Sequence, residues 1–260
     1  MIRKFIKKNA LILQIISFYL LTLFIIFAGS LTYLILSFPL SIFAIFLVIF
    51  SISYFAPLLT RFFLRSKTYK GKYRNLINSY IKEKPIEINN IYVRKSKSSN
   101  AFACSFFKNK SIVYFSNTLE KHPWNEIEAV TAHEIGHHIN NDPLLLTFMV
   151  ALGTTLCSLI NFKLHSLTNI KITLIYLPIL ESLIIYPVFL SIERYRESLA
   201  DKYAYKVLKN PKPFADFFKK LIIISEKEGI KVNKNPNYFS KIFFTHPPIY
   251  ERIAMFENKK

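Results

Sequence analysis

From Asn9 to Thr60 the chain carries no Asp, Glu, Lys, Arg or His. No other feature of the sequence restricts the fold as strongly. A bilayer core is about 30 Å thick and one helical crossing needs about 20 apolar residues. The run is therefore long enough for two crossings, expected at 10–30 and 38–60, with a turn near Ala28-Gly29-Ser30 or Ser37-Phe38-Pro39. Its basic start, Met1 to Lys8, resembles a signal peptide, but the apolar run is longer than the usual h-region and a further span follows. It reads as an uncleaved anchor.

A second apolar pair follows. Residues 143–162 are uncharged, and 172–192 hold one charge, Glu181. The polar link "KLHSLTNIK" (163–171) divides them, and Pro178 and Pro187 interrupt the last stretch. Membrane helices tolerate such prolines better than soluble ones. The expectation is four transmembrane helices. Arg3, Lys4, Lys7 and Lys8 precede the first span, and Arg61, Arg65, Lys67, Lys70, Lys72 and Arg74 follow the second. Lys and Arg favour the cytoplasmic flank, so both flanks, and everything between the two hairpins, are expected on that side. The predicted location is a multi-pass cell (inner) membrane protein.

The net charge of +19 fits this placement, since much of it lies next to predicted spans and would meet anionic headgroups. A nucleic-acid partner is not indicated: no helix-turn-helix, finger or RNP pattern is present. Cys104 and Cys157 are isolated, which argues against a disulfide framework.

Outside the spans the chain reads as mainly α with a small β part, an α+β class. Residues 61–84 look like a basic amphipathic helix, with Leu76, Ile77, Tyr80 and Ile81 on its apolar side. "IEINNIYVRKS", "NAFACSFF" and "KSIVYFSN" are short, rich in β-branched and aromatic residues, and divided by polar punctuation. They predict a small antiparallel sheet, with a hairpin turn at Lys108-Asn109-Lys110. Pro123 suits a first helical turn, and that helix is expected to reach about Asn141. Helix continues over 193–208, breaks at Pro211 and Pro213, resumes in "FADFFKKLIIISEKEG", and ends with a turn and a short helix in "THPPIYERIAMFENKK". The expected organisation is an N-terminal hairpin (1–60), a first catalytic part (61–142), a second hairpin (143–192) and a second catalytic part (193–260).

The chemistry sits in His133-Glu134-Ile135-Gly136-His137. On a helix, His133 and His137 share one face and can reach one zinc ion, with Glu134 beside them to take a proton from the attacking water. Zinc lowers the pKa of a bound water to about 7. The five letters alone are a weak signal, and a third ligand is needed. Asn140 and Pro143 stand where a metzincin would place Gly and His, which removes that class. His122, His138, His165, His246 and downstream carboxylates remain. In "ERYRESLAD" (193–201) Glu197 and Asp201 lie four apart on one face. Two His and one Glu make a catalytic zinc set, and an Asp one turn on can hold the second N–H of a liganding His. Glu197 is therefore the expected ligand and Asp201 its supporting acid, with Arg196 placed to orient one of the two. Taken without the histidines, the same stretch is an ordinary charged helix end. Cys104 reads as a buried thiol.

Four segments in order, "SSNAFA" (98–103), "AVTAHEIGHHINND" (129–142), "RYRESLAD" (194–201) and "THPPIYERI" (245–253), resemble those of the HtpX-type membrane metalloproteases. These are relatives of the eukaryotic Ste-type CAAX proteases and the mitochondrial Oma-type protease. The resemblance covers nearly the whole chain and implies a zincin-like helical catalytic domain holding one Zn2+. It implies an endopeptidase acting on misfolded or damaged membrane proteins in quality control and stress response. It implies that Asn100 and Ala101 receive an extended substrate as an added strand, and that His246 and Arg252 lie near the cleft, one of them steadying the oxyanion. Phe106-Phe107-Lys108-Asn109-Lys110 departs from the small, Gly-containing turn common there. Competing readings are a site-2-type intramembrane protease, a CAAX-processing variant and an inactive membrane scaffold. Glu126, Glu128 and the Asn140-Asn141-Asp142 end of the zinc helix argue against a site within the bilayer. Oligomeric state is not legible.

Overall fold

The structure is a computed structural model and describes residues 40, 43–44, 46–48, 50–51, 66–106, 109–167, 170–230 and 232–257. The two spans expected at 10–30 and 38–60 fall almost wholly outside them. Those described between 40 and 51 are helical. The chain forms two compact units. One holds Leu146–Leu190 and the described residues before Tyr54; the other holds Phe55–Leu145 with Ser191–Lys260.

In chain order the elements are β1 (Lys67–Thr68), α1 (Arg74–Lys82), β2 (Asn90–Arg94), β3 (Ala101–Phe106), β4 (Asn109–Phe115), α2 (Ser116–Lys121) and α3 (Trp124–Ile139). They continue with α4 (Asp142–Leu167), α5 (Ile170–Val207), α6 (Lys212–Lys227), α7 (Tyr238–Ile242) and α8 (Ile249–Glu257). Mainly helical, with one small sheet, the described part has the expected class.

Several expectations need correction. Among the described residues no helix is long and apolar enough to cross a membrane, so the four spans are not found in them. The polar link at 163–171 is mostly helical, because α4 reaches Leu167 and α5 begins at Ile170. Pro178 and Pro187 do not end α5. The side chains of His165 and Glu181 lie outside the described ones. Of the basic helix expected at 61–84, the described part from Ser66 is helical only in α1: Lys67 and Thr68 instead pair with Val93 and Tyr92, and the Tyr69 N–H donates to the Ile91 carbonyl at 2.9 Å. α1 buries Ile77, Tyr80 and Ile81 but leaves Leu76 exposed.

The sheet is mixed rather than antiparallel, with order β1-β2-β4-β3. β3 and β4 form an antiparallel hairpin, and β4 then lies parallel to β2, Ile91 facing Ile112. Phe106 pairs with Asn109, so the hairpin closes earlier than expected: Asn109 and Lys110 are already strand, and Lys108 lies outside the described residues. β3 is left as an edge.

The pleat sorts the residues onto two faces. Ile91, Ala101, Ile112 and Tyr114 join the main core with Ile77, Ile127, Ile135, Phe214 and Phe256. Tyr92, Phe102, Cys104 and Val113 form a small cluster on the other face. α3 covers the first face, and the buried Tyr114 hydroxyl bonds Thr131 of that helix at 2.7 Å. Cys104 therefore points away from α3.

Candidate metal centre

α3 starts where the sequence predicts. Pro123 occupies its N-cap in an extended conformation, and Glu126 lies in its first turn, favourable to the helix dipole. The helix runs to Ile139 with Asn140 as its C-cap, and Asn141 turns back with φ of 53°. That left-handed residue starts α4 at once and brings Asp142 under His137. α5 crosses α3 closely, Gly136 facing Ala200, which sets Glu197 opposite the histidines.

Three donors converge. His133 Nε2 and His137 Nε2 are 3.1 Å apart, and they lie 3.4 and 3.3 Å from Glu197 Oε2 and Oε1. Among the described residues these three form a group able to hold a metal ion. Zinc bonds of about 2.0–2.1 Å in a tetrahedron separate ligand atoms by roughly 3.3–3.4 Å, so the triangle has the right size. Its chemistry fits as well. Each imidazole turns Nδ1 to a carboxylate, so in the neutral ring Nε2 offers a lone pair to the centre. Two lone pairs and a carboxylate packed this closely suit a cation. Glu197 Oε2 and Glu134 Oε2 are both buried without a hydrogen-bond partner.

Behind each histidine stands an acid, and behind each acid an arginine. His133 Nδ1 lies 2.9 Å from Asp201 Oδ1, and Arg252 grips Asp201 from Nε and Nη2 at 2.7 and 2.6 Å. His137 Nδ1 lies 2.7 Å from Asp142 Oδ2, and Arg196 donates to Asp142 and to the Asn140 carbonyl. Asp201 and Asp142 are each 2% exposed. Such carboxylates fix the ring and raise its basicity.

The charges follow. Burial opposes ionisation of Glu197, but the close imidazoles of His133 and His137 outweigh this and hold it well below the ordinary carboxylate range. Burial likewise opposes Asp201, and the Arg252 charge with His133 outweighs it. Burial pulls His137 down, yet Asp142 and Glu197 raise it to about 10, and His133 is raised in the same way by Asp201 and Glu197. Glu134 is raised by burial first of all; its carboxylate accepts the Ala103 backbone N–H. A base in water-poor surroundings with one free oxygen is suited to proton transfer.

The other expected residues take several places. Arg252 is buried and spends its two bonds on Asp201, 3.8 Å from Glu197, so it supports an acid rather than facing the cleft. Arg196 orients neither Glu197 nor Asp201; its partner is Asp142, which sequence reasoning missed. Asp142 follows His137 by five residues and read only as the polar end of the zinc helix, because the sequence carries no sign of the turn that brings it back. His246 is exposed, with Nδ1 bonded to Thr245 at 2.7 Å and Nε2 3.6 Å from Glu197 Oε1. Among the third-ligand candidates, His122 and His138 are buried elsewhere. His138 is 1% exposed, held between the Ser105 hydroxyl at 3.1 Å and the Ser111 carbonyl at 3.0 Å, and burial pushes it down to about 4. Asn100 and Ala101 open the β3 edge: the Asn100 Oδ1 accepts the Ala101 N–H at 2.9 Å.

The family model "Peptidase family M48" matches residues 71–260. The chain belongs to peptidase family M48. It is 28% identical over 206 residues to a protease HtpX homolog of Listeria monocytogenes, covering 65% of this chain and 67% of that one. It is 30% identical over 176 residues to the HtpX homolog of a Janthinobacterium species, covering 60% of each. A protease HtpX of Buchnera aphidicola is 27% identical over 209 residues, 70% and 71% of the two chains. The matched segments thus span about three fifths to seven tenths of these relatives. The crystal structure of S. mikatae Ste24p shares the fold, with TM-score 0.69 over 98% of this chain and 66% of that one at 20% identity. The resemblance to HtpX-type metalloproteases drawn from the four motifs stands on these matches.

Proposed function

We propose that this chain is a membrane-anchored, zinc-dependent endopeptidase. Its substrates are unfolded or damaged membrane proteins, cut at the cytoplasmic face in quality control under stress. The observation that carries the reading is the His133–His137–Glu197 triangle beside a buried Glu134 with one unpartnered oxygen. Membership of a peptidase family supports the reaction class. The apolar run from Asn9 to Thr60 and the basic residues flanking it support the membrane and the cytoplasmic side.

His133, His137 and Glu197 would hold one zinc ion, which supplies Lewis-acid polarisation of the scissile carbonyl and a water acidified to a pKa of about 7. Asp201 and Asp142 keep each imidazole turned with Nε2 inward. Glu134 accepts the proton of the attacking water on its free oxygen and later delivers it to the departing amine. His246, exposed beside Glu197, is the side chain available to donate to the developing oxyanion. β3 offers an edge to an extended peptide, which suits unfolded segments.

The test is zinc content and casein cleavage by detergent-purified protein, wild type beside Glu134→Gln. About one zinc per chain in both is expected, with cleavage lowered about 10²–10⁴-fold in the variant, the usual worth of a general base. Wild type that neither binds zinc nor cuts after zinc addition would overturn the reading in favour of a scaffold.

A further inference from the structure

A second buried polar group lies outside the metal centre. Ser99 Oγ is 3.0 Å from His122 Nε2, and His122 Nδ1 is 2.7 Å from Glu126 Oε2. Lys220 of α6 closes the chain on Glu126 Oε1, and Asn117 Nδ2 donates to Ser99 Oγ at 2.8 Å. Ser99, His122 and Glu126 are 9%, 4% and 4% exposed. The order serine, histidine, acid matches a hydrolytic triad, but this serine is buried and its oxygen is already held by Asn117. Buried polar groups of this kind are costly unless they fix something.

What they fix is the entry to β3. Ser99 directly precedes Asn100, whose N–H and carbonyl are both bonded to Thr118 Oγ1, at 2.7 and 2.8 Å. Ser116 holds the Ser96 backbone in the same way. The far end of β3 is tied as well, through Ser105 and His138. Between the two ends, Ala103 donates its N–H to Glu134. Glu126, Glu134 and His138 all belong to α3, so one helix holds one strand at three points.

The spacings agree. From Glu126 to Glu134 the helix rises about 12 Å at roughly 1.5 Å per residue; from Ser99 to Ala103 an extended chain covers about 13 Å at roughly 3.3 Å per residue. From Glu134 to His138 and from Ala103 to Ser105 the corresponding lengths are each about 6–7 Å. Strand and helix run side by side in matched register.

We propose that Ser99, His122 and Glu126 are positioning residues that hold the β3 edge in register with Glu134. They thereby set how tightly an extended peptide is seated, without touching the reacting atoms. This rests on the peptidase reading above. Loosening the Ser99 end frees the strand where an added peptide strand begins. The peptide is then seated less tightly, while the zinc ligands, which lie on α3 and α5, are untouched.

The experiment uses the full zinc-loaded chain in detergent, comparing wild type, Ser99→Ala, Ser99→Thr and His122→Gln on an unstructured peptide of about ten residues. Expected for Ser99→Ala and His122→Gln is a KM raised at least about fivefold, with kcat within about twofold and zinc content and Tm unchanged; Ser99→Thr, which keeps the hydroxyl, restores KM. Unchanged KM, or a kcat that falls together with Tm and zinc content, overturns the proposal. Amide exchange separates this from failure of the peptidase reading. Even in a chain that cuts nothing, Ser99→Ala should speed exchange at Ala101–Ser105 at least about tenfold while α3 stays protected, and equal exchange overturns the proposal.

Discussion

Gly136 of α3 faces the backbone of Ala200 on α5 so closely that a Cβ added to it would sit 3.0 Å from Ala200 Cα and 3.1 Å from its carbonyl oxygen. The neighbours are main chain, so they cannot rotate away. This approach sets the distance between the helix bearing His133 and His137 and the helix bearing Glu197. Gly136→Ala should force a shift of a few tenths of an ångström and cost about 1–3 kcal/mol, the usual range for overpacking. Gly136→Val should separate the helices enough to abolish zinc retention. Zinc content after gel filtration and Tm in detergent measure both. A valine variant that keeps full zinc would show that the triangle does not depend on this crossing.

Asn141 has φ of 53° and stands between the helix of His137 and the helix that begins with Asp142. Its left-handed turn aims Asp142 Oδ2 at His137 Nδ1. Asn tolerates this conformation, Gly adopts it freely, and a β-branched residue resists it by about 1–2 kcal/mol. Asn141→Gly should therefore leave Tm within about 2 °C, whereas Asn141→Val should lower it by several degrees and weaken zinc binding at the same time. Loss of Tm without loss of zinc affinity would mean that Asp142 reaches His137 by another route.

The histidine pair, Glu197 and Asp201 were legible because one helical period fixes each pair: four residues apart means one face. Meeting across the two helices was inferred only from the chemistry the set would perform. Asp142 was not legible, since its value comes from a single left-handed residue that reverses the chain. Arg252 was placed near the cleft only by the family resemblance; its bidentate hold on Asp201 depends on how α8 packs on α6, a long-range contact. Similarly, the parallel β2–β4 pairing follows from the hairpin inserting β4 between β2 and β3, and strand composition carries no direction. His138 stood among the candidate third ligands, because the sequence does not show what covers it. Only the β3–β4 hairpin, which covers it, makes it buried.

The acids behind the histidines also govern how zinc binds. In the metal-free protein Asp142 and Glu197 outweigh burial and raise His137 to about 10, against about 6.5 for an unperturbed histidine. Its proton-linked contribution to stability is thus fully present below about pH 6.5 and is lost as pH rises through about 10. Zinc needs the Nε2 lone pair, so binding at neutral pH must expel that proton. Zinc affinity should therefore climb with pH up to about 10, approaching tenfold per unit for each proton displaced, and level off above it. Titration calorimetry in buffers of differing ionisation heat counts the protons directly. Asp142→Asn keeps an acceptor for Nδ1–H but no charge to hold an imidazolium. It should release nearly one proton fewer and bind zinc about 10–100-fold more weakly. Equal proton release in wild type and Asp142→Asn would show that Asp142 does not hold His137 in its charged form.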